Sequence, residues 1–302
     1  MDEKIRTASL SIISNTCLIT MKLIVGIITG SVSILSEAIH STMDLIAAII
    51  SFFSVKISAK PADAEHPYGH GKFENVSGVI ESLLIFVASL WIIIEAVKKI
   101  ISGEEVGSSA LGFFVMFFSA GINFLVSKRL YRVAKKTDSI ALEADALHLK
   151  TDVFTSLGVG AGLLLIWITK LHFLDPVIAI LVALFILKEA LNLLKVAFNP
   201  LVDVKLSDKE ISIIKNSISK YSSGYCSFHK LRTRKSGNKR YVDVHLVFPE
   251  DMHIKVAHKL CDDIENDMSH SLQNTEVMIH LESCDDKCTS CRLYDTTKCK
   301  NR

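Results

Sequence analysis

The sequence predicts an α-helical membrane protein of six transmembrane helices that ends in a small cytosolic α+β domain, and three observations carry that reading. Six stretches reach the roughly 20 mostly apolar residues that a bilayer span needs. Of the 66 charged residues, 31 lie in the last third, from Lys205 onward. Mean hydropathy is +0.36, too apolar for a disordered chain and high for a soluble enzyme. At 302 residues the chain has room for one large or two ordinary domains. A net charge of +2 gives no support to a nucleic-acid partner, which would call for a strong basic excess.

The spans fall at 7–29, 32–57, 74–100, 109–129, 141–169 and 174–197. The third and fourth contain SLLIFVASLWIIIEAV and LGFFVMFFSAGINFLV, nearly unbroken apolar runs. The sixth starts beside Pro176, a residue suited to a first helical turn. The first is too long for the core of a signal peptide, carries Lys22 and lacks a cleavage site, so it is expected to stay in the mature chain.

Basic residues near the span ends set the orientation. Lys4 and Arg6 precede span 1. Lys56, Lys60 and Lys72 lie between spans 2 and 3. Lys128, Arg129, Arg132, Lys135 and Lys136 lie between spans 4 and 5, and Lys205 follows span 6. Both termini are therefore expected in the cytoplasm, with Lys98 and Lys99 as a mild exception on the other side.

Spans 2 and 5 each place a histidine four residues before an aspartate: His40 with Asp44, and His148 with Asp152. Four residues return to the same helix face one turn on, so each span projects an imidazole beside a carboxylate. An acid inside a span costs about 2.5–3.5 kcal/mol on insertion scales and normally faces the bundle interior with a partner. Either pair alone reads equally well as a hydrogen bond tying helices together. Two matching pairs favour a metal site, because together they supply the four N/O ligands of tetrahedral Zn²⁺. Asp145, three residues before His148, either attracts incoming cations or is a solvated interface residue. Glu37, Glu81, Glu95 and Glu143 are assigned to helix ends or helix contacts, without a role.

The connection KPADAEHPYGHGKFE holds Asp63, His66 and His70 within eight residues, bent by Pro67 and Gly69. A carboxylate and two imidazoles make a second, more exposed Zn²⁺ site; the plainer reading is a polar turn that shapes the loop.

After Pro200 the pattern shortens. Ser207–Lys220 reads as a helix with a capping box, Ser207 and Glu210. Phe228–Arg234 and Arg240–Phe248 alternate as strands around Ser236-Gly237-Asn238. His253–Met268 reads as a helix and Thr275–Leu281 as a closing strand, an αββαβ order. The tail carries Cys284, Cys288, Cys291 and Cys299, dense enough for a thiolate site of soft-metal preference; the alternative is a tail of reduced thiols.

HPYGHGK after span 2, His-x-x-x-Asp in span 5 and a histidine-bearing C-terminal domain together resemble the cation diffusion facilitator family of divalent-metal/proton antiporters, over nearly the whole chain. The resemblance implies a six-helix membrane domain, a cytosolic ferredoxin-like domain and a homodimer. It implies that His40, Asp44, His148 and Asp152 are the transport site and that Asp63, His66 and His70 are the loop site. It implies zinc binding by His229, His245, His258, His280 and Glu282 in the cytosolic domain, and a charge interlock between Lys72 and Asp203 that helps hold the dimer. His40 stands where some bacterial members have Asp, an arrangement that resembles the zinc-preferring one. His253 and His270 match nothing in the family and are expected to be solvated.

The domains are accordingly expected at 1–203 (transport), 204–283 (ferredoxin-like, metal-binding) and 284–302 (Cys-rich tail). The expected function is Zn²⁺/H⁺ antiport out of the cytoplasm across the inner or plasma membrane, with Zn²⁺ both cargo and regulator. Metal binding expels protons from imidazole, and protonation releases the ion. The alternatives are a passive zinc channel, a membrane-anchored metal sensor or scaffold without transport, and transport of Fe²⁺, Co²⁺, Cd²⁺ or Mn²⁺. A metalloenzyme is disfavoured, since four protein ligands leave no open position for water.

Overall fold

The computed structural model describes residues 3–29, 32–102, 110–169 and 174–284. They divide into two compact units, Met1–Asn199 and Pro200–Arg302.

The first unit is built from six long helices: α1 (Glu3–Thr29), α2 (Val32–Ser58), α3 (Lys72–Ser102), α4 (Ala110–Thr137), α5 (Ile140–Thr169) and α6 (Leu174–Phe198). Among the described residues, and by length and composition alone, three stretches are apolar enough to cross a membrane: Glu3–Ile28 in α1, Lys72–Lys98 in α3 and Pro176–Val202, which begins in α6. α3 packs chiefly on α6, α1 on α2 and α4 on α5, and α5 also touches α3 and α6. Two glycines permit the closest approaches. A Cβ on Gly78 of α3 would stand 2.6 Å from Ile140 Cγ2, and one on Gly158 of α5 would stand 3.0 Å from Val182 Cγ2.

The fourth helix runs eight residues beyond its expected end at 129, so the basic run up to Lys136 is helical, not a connection. Val126, Leu130, Val133 and Ala134 recur at helical spacing and are buried with Ala141, Leu142 and Leu149 of α5, and that apolar face carries the helix onward. Only Asp138 and Ser139 then join α4 to α5. Asp138 takes a positive φ of 53°, and Ser139 Oγ accepts from the Leu142 amide at 3.5 Å.

A buried network joins three of these helices and the α4–α5 connection near the end where α1 and α3 begin. Glu74, 2% exposed, accepts from Lys4 Nζ at 3.0 Å, from Ser58 Oγ at 2.7 Å and from Ser139 Oγ.

The second unit contains α7 (Asp208–Lys220), β1 (Ser227–Ser236), β2 (Lys239–Phe248), α8 (Ile254–Ser271) and β3 (Thr275–Ser283). The sheet is mixed: β2 is central, antiparallel to β1 and parallel to β3. The capping box is formed, with Ser207 and Glu210 each accepting from the other's amide at 3.3 and 3.0 Å. One face of β2, through Val242, Val244, Leu246 and Phe248, shares a core with Ile214 and Ile218 of α7 and with Ala257, Cys261, Ile264 and Met268 of α8. The alternate residues, Asp243 and His245 among them, lie on the opposite face. On that second face Asp243 is exposed and His245 half-buried, while Tyr241 and Val247 are buried.

Candidate metal sites

α2 and α5 meet through the residues that the four-residue spacing singled out. His148 Nε2 lies 3.1 Å from Asp44 Oδ1, and one ligand atom each of Asp44, His148 and Asp152 lie within 4.8 Å of one another. Asp44 is 5% exposed. His40 sits on α2 one turn from Asp44, and its side chain lies outside the described residues. Three of the four expected ligands are thus brought together inside the helical unit.

The supporting groups were not legible in the sequence. Asn123 of α4 donates from Nδ2 to Asp152 Oδ2 at 3.3 Å, and Asn15 of α1 donates to the Asp44 carbonyl at 3.4 Å. The only available signal was an amide within an apolar run. The Asn123 contact orients a carboxylate that would hold the ion, in the manner of the outer shell of a metal site, and the Asn15 contact ties α1 to the backbone of α2 at Asp44.

Asp145 is fully buried, which corrects the solvated-interface alternative: α1 covers it, and Ser11 Oγ donates to its Oδ1 at 3.0 Å. Of the two places expected for Glu81, a helix end or a helix contact, it takes the second. It is fully buried in mid-α3 and accepts from Ser77 Oγ at 3.0 Å. Glu143 pairs with Lys135 at 2.7 Å, and Glu95 with Lys98 at 3.8 Å. The side chain of Glu37 lies outside the described residues.

The loop residues Asp63, His66 and His70 also converge. Asp63 Oδ1 is 3.4 Å from His66 Nδ1, Oδ2 is 3.3 Å from His70 Nε2, and the two imidazole centroids are 4.4 Å apart. The turn is closed by the His66 amide donating to Asp63 Oδ1 at 2.7 Å and by Gly69 at φ 80°. That hydrogen bond from the His66 amide is the main cause holding the Asp63 carboxyl below its ordinary range. His70 is buried while Asp63 is exposed, giving a site with one sheltered wall.

In the second unit, strand register does what spacing cannot. His229 pairs with His245 across β1–β2, and His245 pairs with His280 across β2–β3, so three histidines form a row on one face. Glu282, two residues beyond His280, points to the same side. Its Oε2 lies 3.0 Å from His229 Nε2 and its Oε1 2.6 Å from His245 Nδ1. The His245 and His280 rings stand 4.6 Å apart by centroid. A bulge between His229 and Arg232, with Lys230 at φ 52°, turns β1 beside the cluster. The hydrogen bond to His245 leads the causes that hold the Glu282 carboxyl below its ordinary range. His258 stands outside this group on α8, 3.8 Å from Asp262, and His253 caps α8 through Nδ1. Of the tail cysteines, Cys284 is described, and Cys288, Cys291 and Cys299 lie outside the described residues. Lys72 opens α3, and Asp203 follows α6 at φ 55°.

Comparison with known proteins meets this geometry from both ends of the chain. Residues 8–202 match the cation efflux transmembrane domain, and residues 206–284 match the cation efflux protein cytoplasmic domain. An uncharacterized transporter of Synechocystis, sll1263, is 36% identical over 239 residues, 79% of this chain and 77% of its own. The cation-efflux pump FieF of Yersinia enterocolitica is 31% identical over 78% of each chain, and that of Cronobacter sakazakii is 29% identical over 92% of each. A helical unit with a buried His/Asp cluster, a small mixed-sheet unit with a row of histidines and these matches over both units lead to one conclusion: the chain belongs to the cation diffusion facilitator family of membrane-embedded cation-efflux transporters.

Proposed function

We propose that this protein is a Zn²⁺/H⁺ antiporter that moves zinc out of the cytoplasm by alternating access. In this reading it is a homodimer in the inner or plasma membrane, its six helices span the bilayer, and both termini are cytoplasmic. Residues 1–203 transport, residues 204–283 form a ferredoxin-like metal-binding domain, and residues 284–302 are a Cys-rich tail. The observation that carries the reading is the approach of Asp44, His148 and Asp152 within 4.8 Å inside the helical unit. With His40 one turn away, the set would offer two imidazoles and two carboxylates, a mixture suited to zinc and poor for Mg²⁺ or Ca²⁺. Two carboxylates also balance the charge of a dication in a medium where unbalanced charge is expensive.

Coupling follows from competition. Zinc takes the neutral imidazole and the ionised carboxylate, so loading from the cytoplasm releases protons, and protons arriving from the other side displace the ion. Asp63, His66 and His70 would collect zinc at the loop. His229, His245, His280 and Glu282 would sense zinc in the cytosolic domain, with His258 and the tail cysteines Cys284, Cys288, Cys291 and Cys299 as further ligands. Lys72 and Asp203 would interlock at the junction and help hold the dimer.

Zinc flux into proteoliposomes, with and without a pH gradient, tests the reading for the wild type and Asp152→Ala. Gradient-dependent flux that disappears in the variant is expected. Flux indifferent to the gradient would make the protein a channel, and absence of divalent-metal flux while the cytosolic domain still binds zinc would make it a sensor.

A further inference from the structure

The proposed ligands do not stand alone in the helical unit. The two carboxylates among them, Asp44 and Asp152, line one end of a cavity of about 80 Å³, whose walls come from α1, α2, α4 and α5. Asn15, Asp44, Asn123 and Asp152 line it at one level. Lys22, Ser41, Ser119, Thr155 and Ser156 line it further along. Helix direction places the second group. α1 and α5 run toward the end where α1 stops and α2 begins, and α2 and α4 run back from it. Ser41 is three residues before Asp44 on α2, Thr155 three after Asp152 on α5, and Ser119 four before Asn123 on α4. Each is therefore about 4.5–6 Å beyond the ligand level, in the same direction, at 1.5 Å per residue. Lys22, seven residues past Asn15, lies about 10 Å beyond that asparagine. The cavity extends from the ligands away from the end that leads into the second unit.

Lys22 is the cationic residue of that vestibule. It is 5% exposed, and its Nζ donates to Ser41 Oγ at 2.7 Å. A lysine inside a span is costly unless it faces a polar interior, and here it faces the cavity that Asp44 and Asp152 line. With a long, flexible stem and a compact charge, the ammonium can change position without moving a helix. In the low dielectric of a bundle interior its field reaches the carboxylates whether or not it touches them. Asp44 and Asp152, emptied of metal, would leave two carboxylates to be balanced. A dication entering between them meets a positive charge on the far side.

Resting on the transport-site reading above, we propose that Lys22 is a specificity-determining residue: a tethered cation that competes with the metal for the Asp44–Asp152 field. It weakens the hold on a bound dication enough to release it toward the vestibule, and it balances the carboxylates after release. Removing the charge should trap metal. Keeping the charge on a different head group should not.

The experiment is zinc flux against zinc concentration for the reconstituted full-length protein at fixed pH, comparing wild type, Lys22→Met, Lys22→Gln, Lys22→Arg and Asp152→Ala. Lys22→Met and Lys22→Gln are expected to lower the half-saturating zinc concentration about tenfold and to lower maximal flux by a similar factor. Lys22→Arg is expected to restore both. An unchanged half-saturating concentration in the neutral variants would overturn the proposal, since a lysine that only ties α1 to α2 would alter the yield of folded protein and not that constant. Loss of folded protein in both neutral variants, with Lys22→Arg folded, would also overturn it and assign the lysine to the scaffold. Wild-type flux persisting in Asp152→Ala would instead remove the transport-site reading, whatever Lys22 does.

Discussion

His148 Nε2 and Asp44 Oδ1 stand 3.1 Å apart although 104 residues separate them in the chain, and that approach turns two helix faces into one ligand set. The contact is buried between α2 and α5. Its carboxylate partner Asp152 is held from a third helix by Asn123.

The Asn123 contact gives the first expectation. Asn123→Leu removes the Nδ2 donor to Asp152 Oδ2 while keeping similar volume. Loss of such an orienting group typically weakens metal binding about 10–100-fold. The half-saturating zinc concentration for flux should rise by roughly that factor, with the folded yield unchanged. An unshifted value would mean that Asp152 is oriented without the amide.

Glu74 anchors α1, α2 and the α4–α5 connection to the start of α3 through Lys4, Ser58 and Ser139. Glu74→Ala leaves the Lys4 ammonium, 11% exposed in its side chain, without its carboxylate. Breaking one side of a buried pair costs about 3–5 kcal/mol, so the helical unit should unfold at markedly lower temperature in detergent. Lys4→Met with Glu74→Gln should recover much of the loss, because neither charge then stays uncompensated.

The capping box of α7 predicts a pH dependence. Burial raises the Glu210 carboxyl, and the hydrogen bonds from Ser207 and Arg240 outweigh it, leaving the group below its ordinary range. A lowered value in the folded state stabilises the domain above the ordinary glutamate range and loses that stabilisation as pH falls through the folded value. Ser207→Ala should cost about 1 kcal/mol near neutral pH. Its difference from wild type should narrow on acidification below about pH 4.3, read from denaturant unfolding at a series of pH values. A difference constant into strong acid would contradict the linkage.

Cys261 offers a chemical check on the core of the second unit. It is 2% exposed, and burial, aided by Glu265 and Asp262, pushes its thiol up to about 11. Only the thiolate reacts, so native protein treated with a maleimide at mildly alkaline pH should leave Cys261 unmodified by mass spectrometry. Denaturant should expose it at once. Labelling in the native state would mean that α8 opens from the sheet.

Some of this was legible without coordinates because it depends on near neighbours in the chain. A four-residue interval settles that His148 and Asp152 share a face of α5, whatever lies opposite. Ser207 and Glu210 encode their own cap, and the alternation of Arg240–Phe248 encodes the two faces of β2. The bend at Pro67 and Gly69 already gathers Asp63, His66 and His70. For the same local reason the end of α4 was misjudged: the basic run hides the apolar stripe of Leu130, Val133 and Ala134, whose partners lie on α5.

The tertiary structure alone decided which faces meet. No interval in the chain joins His229, His245 and His280; strand register does. Nothing local shows that Asp145 is sealed by Ser11, that Asn123 reaches Asp152, that Glu74 holds Lys4, or that Lys22 lines the cavity of Asp44 and Asp152. Helical and strand periods fix directions around one element, and hence which residues can act together on it. The free energy of burying charge then selects among the ways those elements can pack, and that selection is made over separations of 19 to 134 residues, where sequence spacing carries no geometric information.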